Sequence, residues 1–131
     1  MVRRGCGKII NIASGLGQMP FPRFCAYAVS KAGLIQLTRS LSEELKPHNI
    51  QVNAIDPGVM DTAMQEQIRS MGPEPLGQSL HRHFVAYKEE NNLRDPDSVA
   101  PLTVFLASAA ADHLTSHFGG LEYYKRFGWT A

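Results

Sequence analysis

The hydrophobic positions of the chain form two short runs separated by one long periodic segment. Residues 8–13 read Lys-Ile-Ile-Asn-Ile-Ala, and isoleucines in so short a run predict a buried β-strand. In residues 50–55 the apolar side chains of Ile50, Val52 and Ala54 alternate with polar ones, which predicts a second strand. The segment Asp56-Pro57-Gly58 has the composition of a turn and ends this strand.

Between the two runs, apolar residues recur at the spacing of an amphipathic helix. They fall near one stripe from Ala26 to Leu45, and the dipeptide Lys46-Pro47 stops the helix. The order strand, long helix, strand predicts a βαβ unit with parallel strands and a right-handed crossover. We therefore expect an α/β fold in which residues 7–58 form the core.

The second half of the chain has weaker patterns. A cap at Asp61 or Thr62 starts a helix that runs to about Met71, residues 73–77 have the composition of a linker, and residues 78–90 form a further helical candidate. We treat residues 61–95 as one segment between the core and the C-terminal part.

Residues 97–131 make up the C-terminal helix and tail of the same single domain. Asp97 or Ser98 precedes a mostly apolar helix, which we expect to be more deeply buried than the others. From His113 onward the pattern is irregular and carries a cluster of aromatic side chains.

Composition narrows the class of protein. A chain of 131 residues fits one domain, and 13 basic against 12 acidic residues give a net charge of +1, which offers nucleic acid no basic surface. No apolar run approaches the ~18 residues of a membrane span. The two cysteines give no disulfide framework, and no Glu or Cys completes a metal site with His113 and His117. We expect a cytoplasmic protein with no nucleic-acid, membrane or metal partner.

Tyr27 and Lys31 are the first candidates for chemistry. They lie four residues apart near the start of the long helix and so share one face. An isolated phenol is a poor acid or base at neutral pH, but a neighbouring ammonium favours the phenolate, so the pair is suited to proton transfer. A surface helix can also carry this pair by chance, and that alternative stays open on the spacing alone.

Ser14 strengthens the case for a site. It follows the first strand directly, and in a parallel sheet the carboxyl ends of the strands are where ligands bind. The long helix begins at this same edge. We therefore expect Ser14, Tyr27, Lys31 and the turn at residues 56–58 to converge there.

Three ordered motifs resemble the short-chain dehydrogenase/reductase family. They are Gly7-Lys-Ile-Ile-Asn-Ile-Ala-Ser14, Ala26-Tyr27-Ala-Val-Ser-Lys31-Ala-Gly-Leu and Ile50-Gln-Val-Asn-Ala-Ile-Asp-Pro57-Gly58. Three motifs in register are far more specific than a tyrosine and a lysine four residues apart. The resemblance implies a Rossmann-like parallel sheet with flanking helices, and NAD or NADP as cofactor.

The resemblance also implies roles for individual residues. Tyr27 would be the general acid/base toward the substrate oxygen, Lys31 would favour its phenolate and bind the nicotinamide ribose, and Ser14 would hold the substrate carbonyl or hydroxyl. The remaining cofactor contacts would come from Pro57, Gly58, Val59 and Thr62. Residues 61–95 would correspond to the variable segment that covers the substrate.

The chain departs from the family pattern at both ends. No glycine-rich phosphate-binding turn follows a strand and opens a helix, and Gly15 and Gly17 are better explained as turn glycines. Near the C-terminus, the last family strand is expected to be shortened or lost. The sequence thus resembles the C-terminal half of the family, a partial Rossmann-like domain that we expect to be a homo-oligomer or to depend on a partner.

Two functions follow from these observations. The first is an NAD(P)(H)-dependent oxidoreductase that interconverts a small-molecule alcohol and a carbonyl, with Tyr27 as proton donor and acceptor. The second is a non-catalytic fragment that acts, if at all, through association with a partner chain.

Overall fold

The strand–helix–strand unit predicted from the sequence is present. The computed structural model describes residues 1–130, and its first elements are strand β1 (Gly7–Ile12), helix α1 (Cys25–Leu45) and strand β2 (Ile50–Ile55). The two strands are parallel and pair in register from Gly7 opposite Ile50 to Ile12 opposite Ile55. Pro47 lies in a short 3-10 turn after α1, as expected for a residue that cannot continue a helix.

A third, two-residue strand completes the sheet. Strand β3 (Phe118–Gly119) pairs in parallel with the end of β2, which gives the strand order β1-β2-β3. The last strand is therefore shortened, as expected. The tail is more regular than expected, because helix α6 (Leu121–Lys125) follows β3 directly.

The two long strands differ in burial. Every residue of β2 except Gln51 is buried, whereas all of β1 is half-buried or exposed, and Ile12 is 41% exposed. The prediction that β1 is a buried strand is therefore wrong. Within the described residues β1 forms the edge of the sheet, so its side chains have fewer neighbours than those of the central strand.

The tail is bound to β2 by buried polar groups. The side-chain amide of Asn53 donates to the Leu114 carbonyl at 2.8 Å and accepts from the His117 N–H at 3.1 Å. The hydroxyl of Tyr124, which is fully buried, donates to the Ala54 carbonyl at 2.9 Å. Burial raises the pKa of this phenol well above its usual range, which keeps it protonated as a donor.

Helix α5 (Ala100–Ala107) is not the deeply buried helix that its composition predicted. Leu102 and Leu106, four residues apart, are fully buried, but Val104 between them is 69% exposed. The helix is apolar on all sides yet packs on only one, because residues four apart share a face and residues two apart do not.

The chain divides into two compact units. One comprises Met1–Pro57 together with the chain from Val99 onward, and the other is Gly58–Ser98. The second unit holds helices α2 (Ala63–Ser70), α3 (Pro73–Leu76) and α4 (Gln78–Glu89). Residues 73–77 were expected to be a linker, so α3 corrects that prediction. Pro73 is the first residue of this helix, a position where no N–H is needed.

Thr62 precedes α2 as predicted, in an extended conformation, but its side chain makes no capping hydrogen bond. No helix among the described residues is long and apolar enough to cross a membrane.

Candidate active site

Lys31 lies at the carboxyl end of β1. Its side chain extends from the first part of α1 and donates a hydrogen bond to the carbonyl of Ile12 at 2.9 Å. Ile12 is the last residue of β1, so the ammonium is fixed at the sheet edge where ligands bind in parallel α/β folds. An ammonium has three donors, and Ile12 is its one hydrogen-bond acceptor among the residues described.

Tyr27 lies on the same face of α1, one turn before Lys31. The Lys31 ammonium is 5.6 Å from the centre of the Tyr27 ring, within the range of a cation–π contact. The Tyr27 carbonyl accepts a hydrogen bond from the Ser30 hydroxyl at 2.7 Å. The residue as a whole is half-buried.

Ser14 begins a 3-10 turn, Gly15–Gly17, immediately beyond β1. Its Oγ accepts a hydrogen bond from the Leu16 N–H at 3.2 Å, which fixes the oxygen at the start of the turn. A hydroxyl that already accepts still has its own proton to donate. Ser14 can therefore donate a hydrogen bond to a substrate oxygen.

The turn after Ser14 packs directly on the helix that carries the other two residues. A Cβ on Gly17 would lie 2.8 Å from the Ala32 nitrogen and the Lys31 carbonyl carbon, closer than carbon atoms approach backbone. Glycine is therefore required for the turn to reach α1. This contact ties the position of Ser14 to the part of α1 that bears Lys31.

Asp56 is a residue of this edge that the sequence reasoning treated only as part of a turn. It follows β2, and its N–H donates to the Gly119 carbonyl at 2.9 Å. Its carboxylate oxygen Oδ2 lies 2.9 Å from the position a Cβ on Gly15 would take, so the carboxylate rests against the turn that Ser14 begins. The sequence does contain a signal for this placement, because Asp56 is an acidic residue that directly follows a strand at the same sheet edge as Ser14.

The predicted cofactor contacts fall in both units. Pro57 is buried directly after β2 and belongs to the unit with Ser14 and Lys31. Gly58, Val59 and Thr62 belong to the other unit. There Gly58 has φ near +77°, a backbone conformation that favours glycine, and the Val59 carbonyl accepts from the Arg94 N–H at 2.8 Å. The roles of these four residues stay predictions.

The described residues outside the predicted site were also considered for a pocket and for a metal site. A shallow depression on one face of α4 is lined by Ser79, Arg82, His83 and Ala86 and contains none of the predicted site residues. No group of three or more potential metal ligands occurs in the part of the chain that the structure covers.

Comparison with known proteins decides the family. The model of the family described as short chain dehydrogenase matches residues 1–72, which is more than half of the chain and includes Ser14, Tyr27, Lys31 and Thr62. The chain belongs to the short chain dehydrogenase family. The α/β fold with a parallel sheet and flanking helices agrees with this membership.

Family relatives span more sequence than this chain does. It is 36% identical over 117 residues to a 2-dehydro-3-deoxy-D-gluconate 5-dehydrogenase of Formosa agariphila, covering 89% of the chain and 42% of that protein. It is 31% identical over 128 residues to the 3-oxoacyl-[acyl-carrier-protein] reductase FabG of Thermotoga maritima, covering 93% and 46%. The chain thus spans less than half the length of these relatives.

A solved structure gives the same picture. The F189W variant of actinorhodin polyketide ketoreductase, determined with NADPH, superposes with a TM-score of 0.78 at 28% identity, covering 92% of this chain and 48% of that one. The narrower expectation that the chain is the C-terminal half of the family is not borne out by these alignments and is not retained. The alignments establish that the chain belongs to the family and that it spans less than half the length of these relatives.

Proposed function

We propose that this chain carries the proton-transfer site of an NAD(P)(H)-dependent oxidoreductase that interconverts an alcohol and a carbonyl. The observation that supports the proposal most directly is the placement of Lys31. Its ammonium is held at the carboxyl end of β1 and lies close to the Tyr27 ring, while Ser14 begins the next turn of chain at the same strand end.

The residues present fit the nicotinamide ribose end of such a cofactor. Lys31 uses one of its three N–H donors on the Ile12 carbonyl. Two donors therefore point away from that bond and suit the adjacent hydroxyls of a ribose. The bound dinucleotide supplies or accepts the hydride.

The protein's part of the reaction is the handling of one proton. In the reducing direction, Ser14 donates a hydrogen bond to the carbonyl oxygen, and the Tyr27 hydroxyl transfers its proton to that oxygen as the carbonyl carbon gains the hydride. The positive charge of Lys31 stabilises the phenolate that remains. In the oxidising direction, the phenolate accepts the alcohol proton.

Substitution of Tyr27 tests this proposal. Tyr27→Phe removes the proton and leaves the ring, so NAD(P)H oxidation with a carbonyl substrate should fall about 10²- to 10⁴-fold while the unfolding midpoint stays unchanged. Tyr87→Phe removes a half-buried tyrosine hydroxyl from the other unit and serves as the control. Turnover retained by Tyr27→Phe, or lost equally in Tyr87→Phe, would reject Tyr27 as the acid/base.

A second function, association with a partner chain, has its own supporting observation. Strand β1 is at the edge of the described sheet, and the unit that contains it exposes large apolar side chains at Val29 (65%), Leu37 (48%) and Val104. Open strand edges and exposed apolar faces favour association. Sedimentation over a wide concentration range tests this function, since a monomer throughout that binds no partner would reject it.

A further inference from the structure

We propose that two copies of this chain pair through β1, antiparallel about a two-fold axis at Ile10, so that their two three-stranded sheets join into one. The inference rests on the second proposed function, association with a partner chain, and it names the partner and the contact. It does not depend on the proposed hydride transfer.

Alternate residues of β1 present their backbone groups to the open edge of the sheet. The Ala13 N–H is bonded to the Ile55 carbonyl, so in the register of this parallel pair the other odd-numbered residues of β1 also face β2. The N–H and C=O groups that face away from β2 belong to the even-numbered residues, Lys8, Ile10 and Ile12. No strand of the described residues lies beyond β1, so these groups have no strand to pair with.

The β1 edge lacks the features that keep sheet edges from pairing. Unpaired lysines, prolines and very short strands protect exposed edges. Strand β1 has six residues and no proline, and its one charged residue, Lys8, forms an ion pair with Asp112 at 2.7 Å. The opposite edge is protected, since β3 has two residues and α6 follows it directly. Among the described strands, β1 is therefore the one open to another strand.

A second copy of β1 is complementary to this edge. In an antiparallel pair, residues that face each other exchange two hydrogen bonds at every second position. With Ile10 opposite itself, Lys8 of each copy lies opposite Ile12 of the other, so all the outward-facing residues of β1 are paired. The Ile12 carbonyl, which accepts from Lys31, has a second lone pair for the Lys8 N–H.

Charge favours this register over its alternatives. A register with Lys8 opposite itself would place two ammonium groups side by side, which destabilises a strand pair, and it would pair fewer of the outward-facing groups of β1. In the proposed register each lysine lies opposite an isoleucine, and its charge is balanced by Asp112 of its own chain. Ile12, which is 41% exposed, is then covered by the aliphatic stem of the facing lysine.

Proline at an outward-facing position tests the pairing without breaking the sheet. Ile10→Pro removes an N–H that faces away from β2, and edge strands tolerate proline in that orientation. We expect the 131-residue chain to dimerise in sedimentation equilibrium. Ile10→Pro should weaken the dimer at least about tenfold, because the two-fold axis removes two hydrogen bonds at once.

Ile10→Val is the matched control, because it keeps the N–H and a β-branched side chain. Its dimer dissociation constant should stay within about twofold of the native value. Lys8→Pro removes another outward-facing N–H and takes the place of Ile10→Pro if the melting curve shows that the first variant does not fold.

Cysteine cross-linking tests the register. With Ile10 on the axis, Ile9 of one copy lies opposite Asn11 of the other, in a pair without hydrogen bonds whose Cα atoms are about 4.5 Å apart, within the range of a disulfide. In a Cys6→Ser, Cys25→Ser background, a mixture of Ile9→Cys and Asn11→Cys should form a disulfide-linked dimer on oxidation, whereas neither variant alone should do so.

The outcomes separate this inference from the proposed functions. A monomer at every concentration, a dimer that the proline variants leave unchanged, or no cross-link in the mixture would overturn pairing through β1. Of these, a dimer that persists in the proline variants would keep the association function and place its contact elsewhere. The Tyr27→Phe measurement decides the hydride transfer separately, since Tyr27 lies on α1 and not on β1.

Discussion

The β1 side and the β2 side of the sheet are built for different purposes. On the β2 side, fully buried side chains such as Asn53 and Tyr124 close the hydrogen bonds between the strand and the tail. On the β1 side, the strand is half-exposed, and its last carbonyl is bonded to a lysine side chain. The comparison teaches that stability and candidate chemistry occupy neighbouring strands, so mutations can separate them.

The largest stability effect is expected on the β2 side. Asn53→Ala leaves the Leu114 carbonyl and the His117 N–H without their partner in a buried place, and each orphaned group costs about 1–3 kcal/mol. We expect the free energy of unfolding to fall by about 3 kcal/mol or more, measured by urea denaturation.

Asn11→Ala is the matched control on the β1 side. Asn11 is half-buried and donates one side-chain hydrogen bond, to Thr38 at 2.9 Å, so its loss should cost about 1 kcal/mol. If both variants lost the same free energy of unfolding, the proposed division between a stabilising β2 side and a β1 side that carries the candidate site would be contradicted.

A smaller loss of stability is expected at Gly17, and there it should be accompanied by a loss of ligand affinity. Gly17→Ala forces a Cβ against the backbone of α1, and overpacking of this kind costs about 1–3 kcal/mol. The same displacement moves the turn of Ser14, so ligand affinity at Ser14 should fall together with stability. Calorimetry and ligand titration of one sample measure both.

Gly33→Ala shows what an alanine does at an unconstrained glycine. Gly33 lies inside α1 with nothing within 4 Å of an added Cβ, so alanine should stabilise the chain by about 0.5–1 kcal/mol. If the Gly17 variant were equally stabilised, the tight contact between the turn and α1 would be disproved.

The smallest effect is a dependence on pH at the tail. Burial, and then the nearby charge of His113, lower the pKa of His117 below 6.5. The unfolded chain therefore takes up this proton first, and stability that is complete above pH 6.5 decreases as the pH falls through the lowered pKa. The ring faces the Tyr123 hydroxyl at 2.8 Å and the Phe127 ring.

Unfolding midpoints between pH 7.5 and 5 check this dependence. His117→Gln should flatten the decrease, whereas His48→Gln, an exposed residue in the turn after α1, should leave it unchanged. A decrease of the same slope in the His117 variant would assign the pH effect to other groups.

Local patterns predicted the elements that they govern. The isoleucine run, the helical stripe and Pro47 fixed the positions of β1, α1 and β2 to within a residue, because short-range geometry decides where such elements start and stop. Ser14 and Lys31 were placed at one strand end for the same reason, since a parallel unit brings its carboxyl ends to one edge.

Features that depend on distant parts of the chain were missed. The burial of Tyr124 and the pairing of β3 involve residues about sixty or seventy positions away from their partners in β2. The exposure of Val104 could not be predicted either, because the sequence does not show whether another part of the chain covers an apolar side chain. The sequence predicts only a turn at Asp56, because the contact of Asp56 with Gly15 is also long-range.

The hydrogen bond between Lys31 and Ile12 has a consequence for the open edge of the sheet. The Ala13 N–H is bonded to the Ile55 carbonyl, and neighbouring residues of a strand present their polar backbone atoms to opposite edges. The Ile12 carbonyl therefore points outward, where Lys31 occupies it. A strand that added to β1 along its whole length would compete with the lysine for this one oxygen. Recruitment of another chain at this edge would then place a second donor on the oxygen that holds the ammonium, so binding of a partner and the position of Lys31 are linked at Ile12.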